Sequence, residues 1–514
     1  MKRAIILITL ILSSHFMGAQ NYFFEFVDGW INNYGVEHDN GYLFLGMGTT
    51  FGTNHWYIYN ELDQNGELID QNIHQVDSVL TLSSRVLPQM AVSLDDNNLI
   101  IVGIVEVGED EFKGTLTNYN IDLKEFELLS SYDHVLLDAL VMLNDTTLIV
   151  AGDRIFPSSM NLNSSLYNMD MEGNIRWETS FSCGFLCQRW PVQILPLSNG
   201  NIAFLMDEYD GDYPWDSRRE KAVLVVVDEE GEILWEEYPG DEDGFRIWAG
   251  GMVEVDGEIM VSYTQRFFYN SNGEWIHNDE NTFYLEKYLI DDGFLTWSHD
   301  FSEQIQYGID ENIPGAGHRI RQMQMLDDGN VLISGTSGIM GLVAKITTSG
   351  ELLWHHPYAP HQPLWMTEGN ATEFTEIYCV TPVSDGGFIM AGQYDSSPSS
   401  LYPGGIQTAI AIKVDQYGCL EEDCQVGIEE YKEDGLSIYP NPSNGRFVVE
   451  LPVLRLRSAT FALSVIDALG VTVFSRYDVR GDEIEIDLSV FSDGVYFVRL
   501  NTEDRIFKSK IIKQ

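Results

Sequence analysis

Hydrophobic positions along the chain fall in short runs of four or five residues, each preceded by a turn pair of Asn, Asp or Gly. The unit is complete in residues 326–354 (LDDGNVLISGTSGIMGLVAKITTSGELLW). Asp328-Gly329 is a tight turn, because Gly takes the positive φ that two-residue hairpin loops demand. Residues 331–334 form an apolar strand and glycine-rich loop residues follow to Gly341. Residues 342–346 form a second strand, Ser349-Gly350 a second turn, and Leu352-Leu353-Trp354 opens a third strand. Residues 319–325 (RIRQMQM), just before the unit, supply a fourth. Runs this short, bounded by turn signals, predict β-strands.

The unit recurs seven times. The first turns are Asn40-Gly41, Asp96-Asn97, Asn144-Asp145, Asn199-Gly200, Asp256-Gly257, Asp328-Gly329 and Asp385-Gly386. The runs after them read YLFLG, LIIVG, LIVAG, IAFLM, IMVSY, VLISG and FIMAG. Second turns fall at Asn65-Gly66, Gly173, Gly231, Gly293, Gly350 and Gly418; the second copy has Asp122-Leu123-Lys124 instead. Trp177, Trp235, Trp297 and Trp354 share one repeat position. A period of roughly 40–60 residues with four short strands each predicts the blades of a propeller. The expected fold is therefore all-β, a seven-bladed β-propeller over residues 20–424. The last copy ends early, so the apolar segment at 21–30 is expected to complete the last blade and hide both sheet edges.

Two flanks differ from the repeats. Lys2-Arg3, an apolar run at 4–12 and Met17-Gly18-Ala19 have the form of a secretory signal peptide, residues 1–19. No later apolar run approaches the roughly 20 residues of a spanning helix, so no membrane span is expected. Residues 425–435 (QVGIEEYKEDG) read as a polar linker, and 436–514 carry their own pattern of alternating strands and turns, which predicts a β-sandwich.

Charge is uneven. The chain has 29 Lys and Arg against 79 Asp and Glu, a formal net charge of −50. Residues 436–514 balance, so the excess lies in the propeller region and argues against nucleic acid and anionic membrane as partners. Structural Ca²⁺ is the one ion that the Asp-rich turns suit; no other cofactor is expected. Five cysteines fit an oxidising compartment. Cys183 with Cys187 and Cys419 with Cys424 are close enough to form local disulfides, and Cys379, in an apolar strand, is expected to be a buried thiol.

Antiparallel alternation puts the short turns on one face of the disk and the long irregular connections on the other. Long loops in a compact domain are usually functional. Aromatics stand beside carboxylates there, including Tyr209, Tyr213, Trp215, Trp275 and Trp365. Exposed rings stack on sugars and carboxylates accept hydroxyl hydrogen bonds, so a glycan or a surface protein is the expected ligand. Arg85, Arg189, Arg246 and Arg319 precede their turns by 10 to 12 residues, at the start of the innermost strand. They could ring the channel mouth and hold an anion, or be spent on salt bridges with neighbouring acids. No motif marks a catalytic residue. His355, His356 and His361 lie among prolines and match no metal-binding helix. Catalytic carboxylates would come from different blades and leave no sequence signature, so a glycan-degrading hydrolase or lyase is the alternative to a binding protein.

The repeat region resembles quinoprotein-like secreted propellers, which implies fold only. Residues 436–514 resemble the type A sorting domain of the type IX secretion system of Bacteroidetes. Tyr439-Pro440-Asn441-Pro442, Asn444-Gly445, Asp467, Gly470, Gly494, Tyr496 and Lys510 carry that resemblance. It implies an immunoglobulin-like sandwich, the type IX machinery as partner, and passage through the periplasm to the outer-membrane surface or the medium.

Overall fold

The computed structural model describes residues 22–26, 31–38, 41–50, 54–75, 89–108, 111–155, 162–184, 187–210, 220–240, 245–267, 282–301, 319–338, 340–359, 373–396, 406–420, 437–450, 461–467, 472–479, 483–492, 494–501 and 506–514. The expected signal peptide and linker lie outside them. Among the described residues all the regular elements are β-strands, and the chain divides into two compact units, Met1–Gln425 and Val426–Gln514.

The first unit contains seven four-stranded antiparallel sheets among the described residues. In six of them the strands are consecutive in the chain. The seventh is built from Glu373–Pro382, Phe388–Ser396 and Ile406–Val414, and its fourth strand is the N-terminal Tyr22–Phe26. Tyr22 pairs with Lys413 and Phe26 with Ala409. Consecutive sheets pack on one another and the seventh packs on the first, so the ring closes as a propeller. The N-terminal strand covers the outer edge of Ile406–Val414, which would otherwise be an unpaired strand of the kind that invites aggregation.

The glycine that ends the apolar runs has a cause visible only in three dimensions. Innermost strands carry a bulge near their starts: the register skips Asn33, Asp138, Val192, Arg321 and Tyr378, and two residues, Gly250 and Gly251, in the fifth sheet. Gly152, Gly335 and Gly392 stand opposite the residues just before such bulges. There a Cβ would meet the carbonyl oxygens of Leu136, Arg319 and Glu376 at 2.1, 2.0 and 2.2 Å. Only glycine fits. Gly335 is thus a strand residue, and the expected glycine-rich loop shrinks to a tight connection between Val331–Ser337 and Met340–Ile346.

At the outer rim each repeated Trp covers the second-turn glycine of the next sheet. A Cβ on Gly231, Gly293, Gly350 or Gly418 would meet Trp177, Trp235, Trp297 or Trp354 at 2.8 Å. Trp177 Nε1 donates to the Glu229 carbonyl at 2.9 Å, and Trp235 Nε1 to that of Ile290 at 2.7 Å. Within these turns an Asp side chain accepts backbone N–H groups, as Asp63, Asp170, Asp228 and Asp415 do. Part of the acidic excess is therefore turn chemistry. In the second copy Lys124 takes the glycine's place with φ 56°, and its ammonium pairs with Asp70 and Glu61.

The second unit is a sandwich of a three-stranded and a four-stranded sheet around Phe447, Val449, Leu463, Val465, Ile484, Ile486, Val498 and Ile511.

Gly231 and Gly257 both have positive φ, 86° and 83°, but only Gly231 has a neighbour within 4 Å of a built Cβ. Gly257→Ala should therefore lose only the backbone preference, about 1 kcal/mol. Gly231→Ala must also displace Trp177, and is expected to lose roughly 2–4 kcal/mol. Denaturant midpoints of the two variants decide this.

Candidate functional site

The bulges aim polar side chains into the ring. On the innermost strand of the sixth sheet, Arg319–Met325, Arg321 is the bulged residue; on that of the seventh, Glu373–Pro382, it is Tyr378. Arg321 Nε donates to Glu376 Oε1, and its guanidinium lies 5.2 Å from the centre of the Tyr378 ring. The Tyr378 hydroxyl donates to Glu376 Oε2 at 2.8 Å. Burial opposes ionisation of Glu376, yet the Arg321 charge holds its carboxyl below the usual range. Burial and that same carboxylate push the Tyr378 hydroxyl well up.

The neighbouring fourth and fifth sheets add further groups. Trp248 Nε1 donates to Glu220 Oε2, and Arg246 Nη1 lies 3.6 Å from Glu220 Oε1. Asp207 is 5% exposed and accepts the Ala249 N–H at 2.8 Å. Burial pushes its carboxyl up to about 6, against the pull of the Arg319 charge. Arg319 stacks 5.2 Å from the centre of the Trp248 ring. Burial and the neighbouring Arg321 charge lower its affinity for its proton, while Glu376, Asp207 and Tyr209 oppose that. Its Nε is buried with no hydrogen-bond partner.

The four sequence-predicted arginines thus have different fates. Arg189, 4% exposed, is locked in its own sheet: Nε meets Glu208 Oε2 at 2.9 Å, Nη1 and Nη2 fork onto Glu236, and Nη2 also donates to the Tyr238 hydroxyl. Arg246 pairs with Glu220 and Arg319 faces the cluster. Arg85, Tyr213, Trp215, Trp275 and Trp365 lie outside the described residues. Tyr209 stacks on Trp190 with centroids 4.3 Å apart. Cys183 and Cys187 form a disulfide, Cys419 is disulfide-bonded, Cys424 lies outside the described residues, and Cys379 is a buried thiol. Cys183 and Cys187 also approach Glu208, but their sulfurs are bonded to each other and the carboxylate to Arg189. His356 Nε2 faces the Tyr417 carbonyl at 3.1 Å and packs on Trp354, as a rim residue.

Sequence reasoning missed Asp207, Glu220, Trp248, Arg321, Glu376 and Tyr378. It also missed three glutamines, two on innermost strands and one, Gln89, just before such a strand. Gln193 exchanges two hydrogen bonds with the Met252 backbone, at 3.0 and 2.6 Å, and Gln89 does the same with Ile194, both at 2.8 Å. Gln322 accepts the Val380 N–H at 2.8 Å. Gln193 and Gln322 each stand seven residues before the turn glycine, Gly200 or Gly329, a signal that was there to find.

In the second unit the sorting-motif residues clasp the chain end. Asn441 Nδ2 donates to the Lys510 carbonyl at 2.8 Å and its Oδ1 accepts the Ile512 N–H at 2.9 Å. Tyr439-Pro440 and Asn441-Pro442 are both cis. Gly445, at φ 114°, accepts the Leu488 N–H through its carbonyl. Tyr496 donates to the Ser492 carbonyl at 2.6 Å. Asn444 and Lys510 are exposed, Asp467 and Gly494 lie in strands, and Gly470 is outside the described residues.

These features define a propeller followed by a β-sandwich whose motif secures its own last strand. Residues 437–514 match the family of the secretion system C-terminal sorting domain, the mark of type IX export to the cell surface or the medium. No curated protein matches the chain by sequence. Similar solved structures include an ulvan lyase of polysaccharide lyase family PL25 (TM-score 0.49, 9% identity, 77% of this chain and 96% of that one). The β-propeller domain of the Trilobed protease from Pyrococcus furiosus also aligns (0.37, 8%, 74% and 96%), as do the extracellular domains 1-2 of Drosophila Semaphorin 1a (0.39, 10%, 77% and 88%). At these scores the likeness says nothing about activity.

Asp207 makes a pH test. Its carboxyl binds a proton more tightly folded (about 6) than at the ordinary value of 3.8. Its contribution to stability is therefore full below about pH 4 and is lost as pH rises to about 6, by roughly 1–3 kcal/mol in all. Asp207→Asn, a neutral isostere, should flatten the stability profile between those limits, measured by denaturant titration at several pH values.

Proposed function

We propose that the chain is a type IX cargo whose propeller binds a glycan at the cell surface or outside the cell, on the face carrying the long connections. The observation that carries this reading is the cluster of arginine, aromatic and carboxylate side chains from four consecutive sheets, in a chain whose C-terminal domain directs export. Aromatic faces and charged hydrogen-bonding groups converging on one place are the usual furniture of a ligand site. Binding is favoured over catalysis because two of the cluster's carboxylates, Glu220 and Glu376, are engaged by Trp248 and Arg246 and by Arg321 and Tyr378. A surface protein is the other ligand class.

A second reading, a glycan-degrading hydrolase or lyase, draws on Asp207, whose carboxyl titrates near pH 6 as a general acid or base must. One experiment separates the readings. The mature protein is screened on a glycan array with and without Ca²⁺, and bound polysaccharides are assayed for new chain ends. Binding without cleavage supports recognition; cleavage that Asp207→Asn abolishes supports the enzyme; no retained glycan leaves a protein ligand.

The sorting domain gives its own test. Asn441→Ala removes both hydrogen bonds that tie the motif to residues 510–512. It should destabilise the isolated second unit by roughly 1–3 kcal/mol and lower the exported fraction of full-length protein in a type IX-competent host. Unchanged stability and export would contradict the clasp's role.

A further inference from the structure

We infer that Arg319 is the anion-recognising residue of the ring site and that its ligand is a glycan bearing uronic-acid carboxylates. This rests on the glycan reading above and names the class of sugar. The observation behind it is an imbalance. Arg321 is hydrogen-bonded to Glu376, and the nearest glutamate to Trp248, Glu220, is held by the indole and by Arg246. Arg319 feels Glu376 and Asp207 through space, but no described residue accepts a hydrogen bond from its Nε, which is shut away from solvent. A guanidinium carries five N–H donors in a rigid plane. Leaving even the buried Nε–H unmatched is unfavourable, so such a group in a folded chain marks a place for an acceptor.

The geometry selects the acceptor. The Trp248 ring covers one side of the guanidinium, 5.2 Å from the ring centre, which leaves its N–H groups as the side for an acceptor. A planar carboxylate matches that side with two parallel hydrogen bonds. The fixed charges of Glu220 and Glu376 close by disfavour a dianion such as a phosphate monoester. A singly charged carboxylate meets about half of that repulsion. Tyr209, whose hydroxyl Arg319 senses, packs against Trp190 and adds aromatic surface near the arginine.

The mature full-length protein is titrated calorimetrically with oligogalacturonate, oligoglucuronate and oligomannuronate, each beside its neutral counterpart, for wild type, Arg319→Gln and Arg319→Lys. Thermal unfolding of each variant is recorded alongside. At least one uronate should bind tenfold or more tighter than its neutral counterpart. Arg319→Gln should lose at least tenfold of that affinity, Arg319→Lys should lose part of it for want of the fork, and neither should unfold at a lower temperature. Equal affinity for acidic and neutral sugars, or uronate binding indifferent to Arg319→Gln, overturns the inference and leaves the glycan reading standing. Arg319-dependent capture of an acidic peptide in place of any sugar, or no sugar bound at all, overturns both. A drop of several degrees in the unfolding temperature of Arg319→Gln would show the arginine to be a structural cation and overturn the inference as well.

Discussion

Crowding of backbone at the ring interior is the constraint on which the rest of the propeller depends. Innermost strands meet there at their closest, and bulges let them turn. The bulge pushes a carbonyl oxygen into the space where the partner strand would carry a Cβ, and Gly152, Gly335 and Gly392 answer it. One local device thus sets three things at once: the glycine of the repeat, the pitch of the strand, and the direction of the bulged side chain. Where that side chain is Arg321 or Tyr378, it is turned into the candidate site.

Two kinds of seam hold the sheets beside each other. At the outer rim an indole lies on a glycine turn, and its N–H meets a carbonyl of the neighbouring sheet. Near the axis, glutamine amides bond the backbone of another innermost strand. Apolar packing fills the space between. The buried ions follow a different logic. Arg189 finds two carboxylates and a hydroxyl, so its desolvation is matched by charge-assisted hydrogen bonds. Arg319, one residue nearer its turn and so on the other side of its strand, lies over an indole and has an unmatched Nε.

Most of the fold was legible in the sequence because turns and alternation are local. The Asn/Asp-Gly pairs, the repeat spacing and the short seventh copy foretell four-stranded sheets and the N-terminal strand that closes the ring. The site was legible only in part. Arg246 and Arg319 stand out by their repeat position, yet so does Arg189, which the fold spends on Glu208 and Glu236. Position in a repeat says where a residue starts, while a bulge decides which way it turns. Glu376 and Tyr378 belong to a sheet with no arginine at that position, so only the closed ring brings them to Arg321. The sorting domain was the most legible part, since its motif residues lie close to the strand they clasp.

The ring and the sandwich divide the work, one offering an interior of arginine and aromatic groups and the other an export mark. The most direct measurement is a crystal structure of the propeller bound to a uronate oligosaccharide. The expected result is a sugar carboxylate about 2.7–2.9 Å from the Arg319 nitrogens, with Arg321 still on Glu376. A sugar bound elsewhere on the disk, or Arg319 hydrogen-bonded to a carboxylate of its own chain, would contradict the assignment of the site.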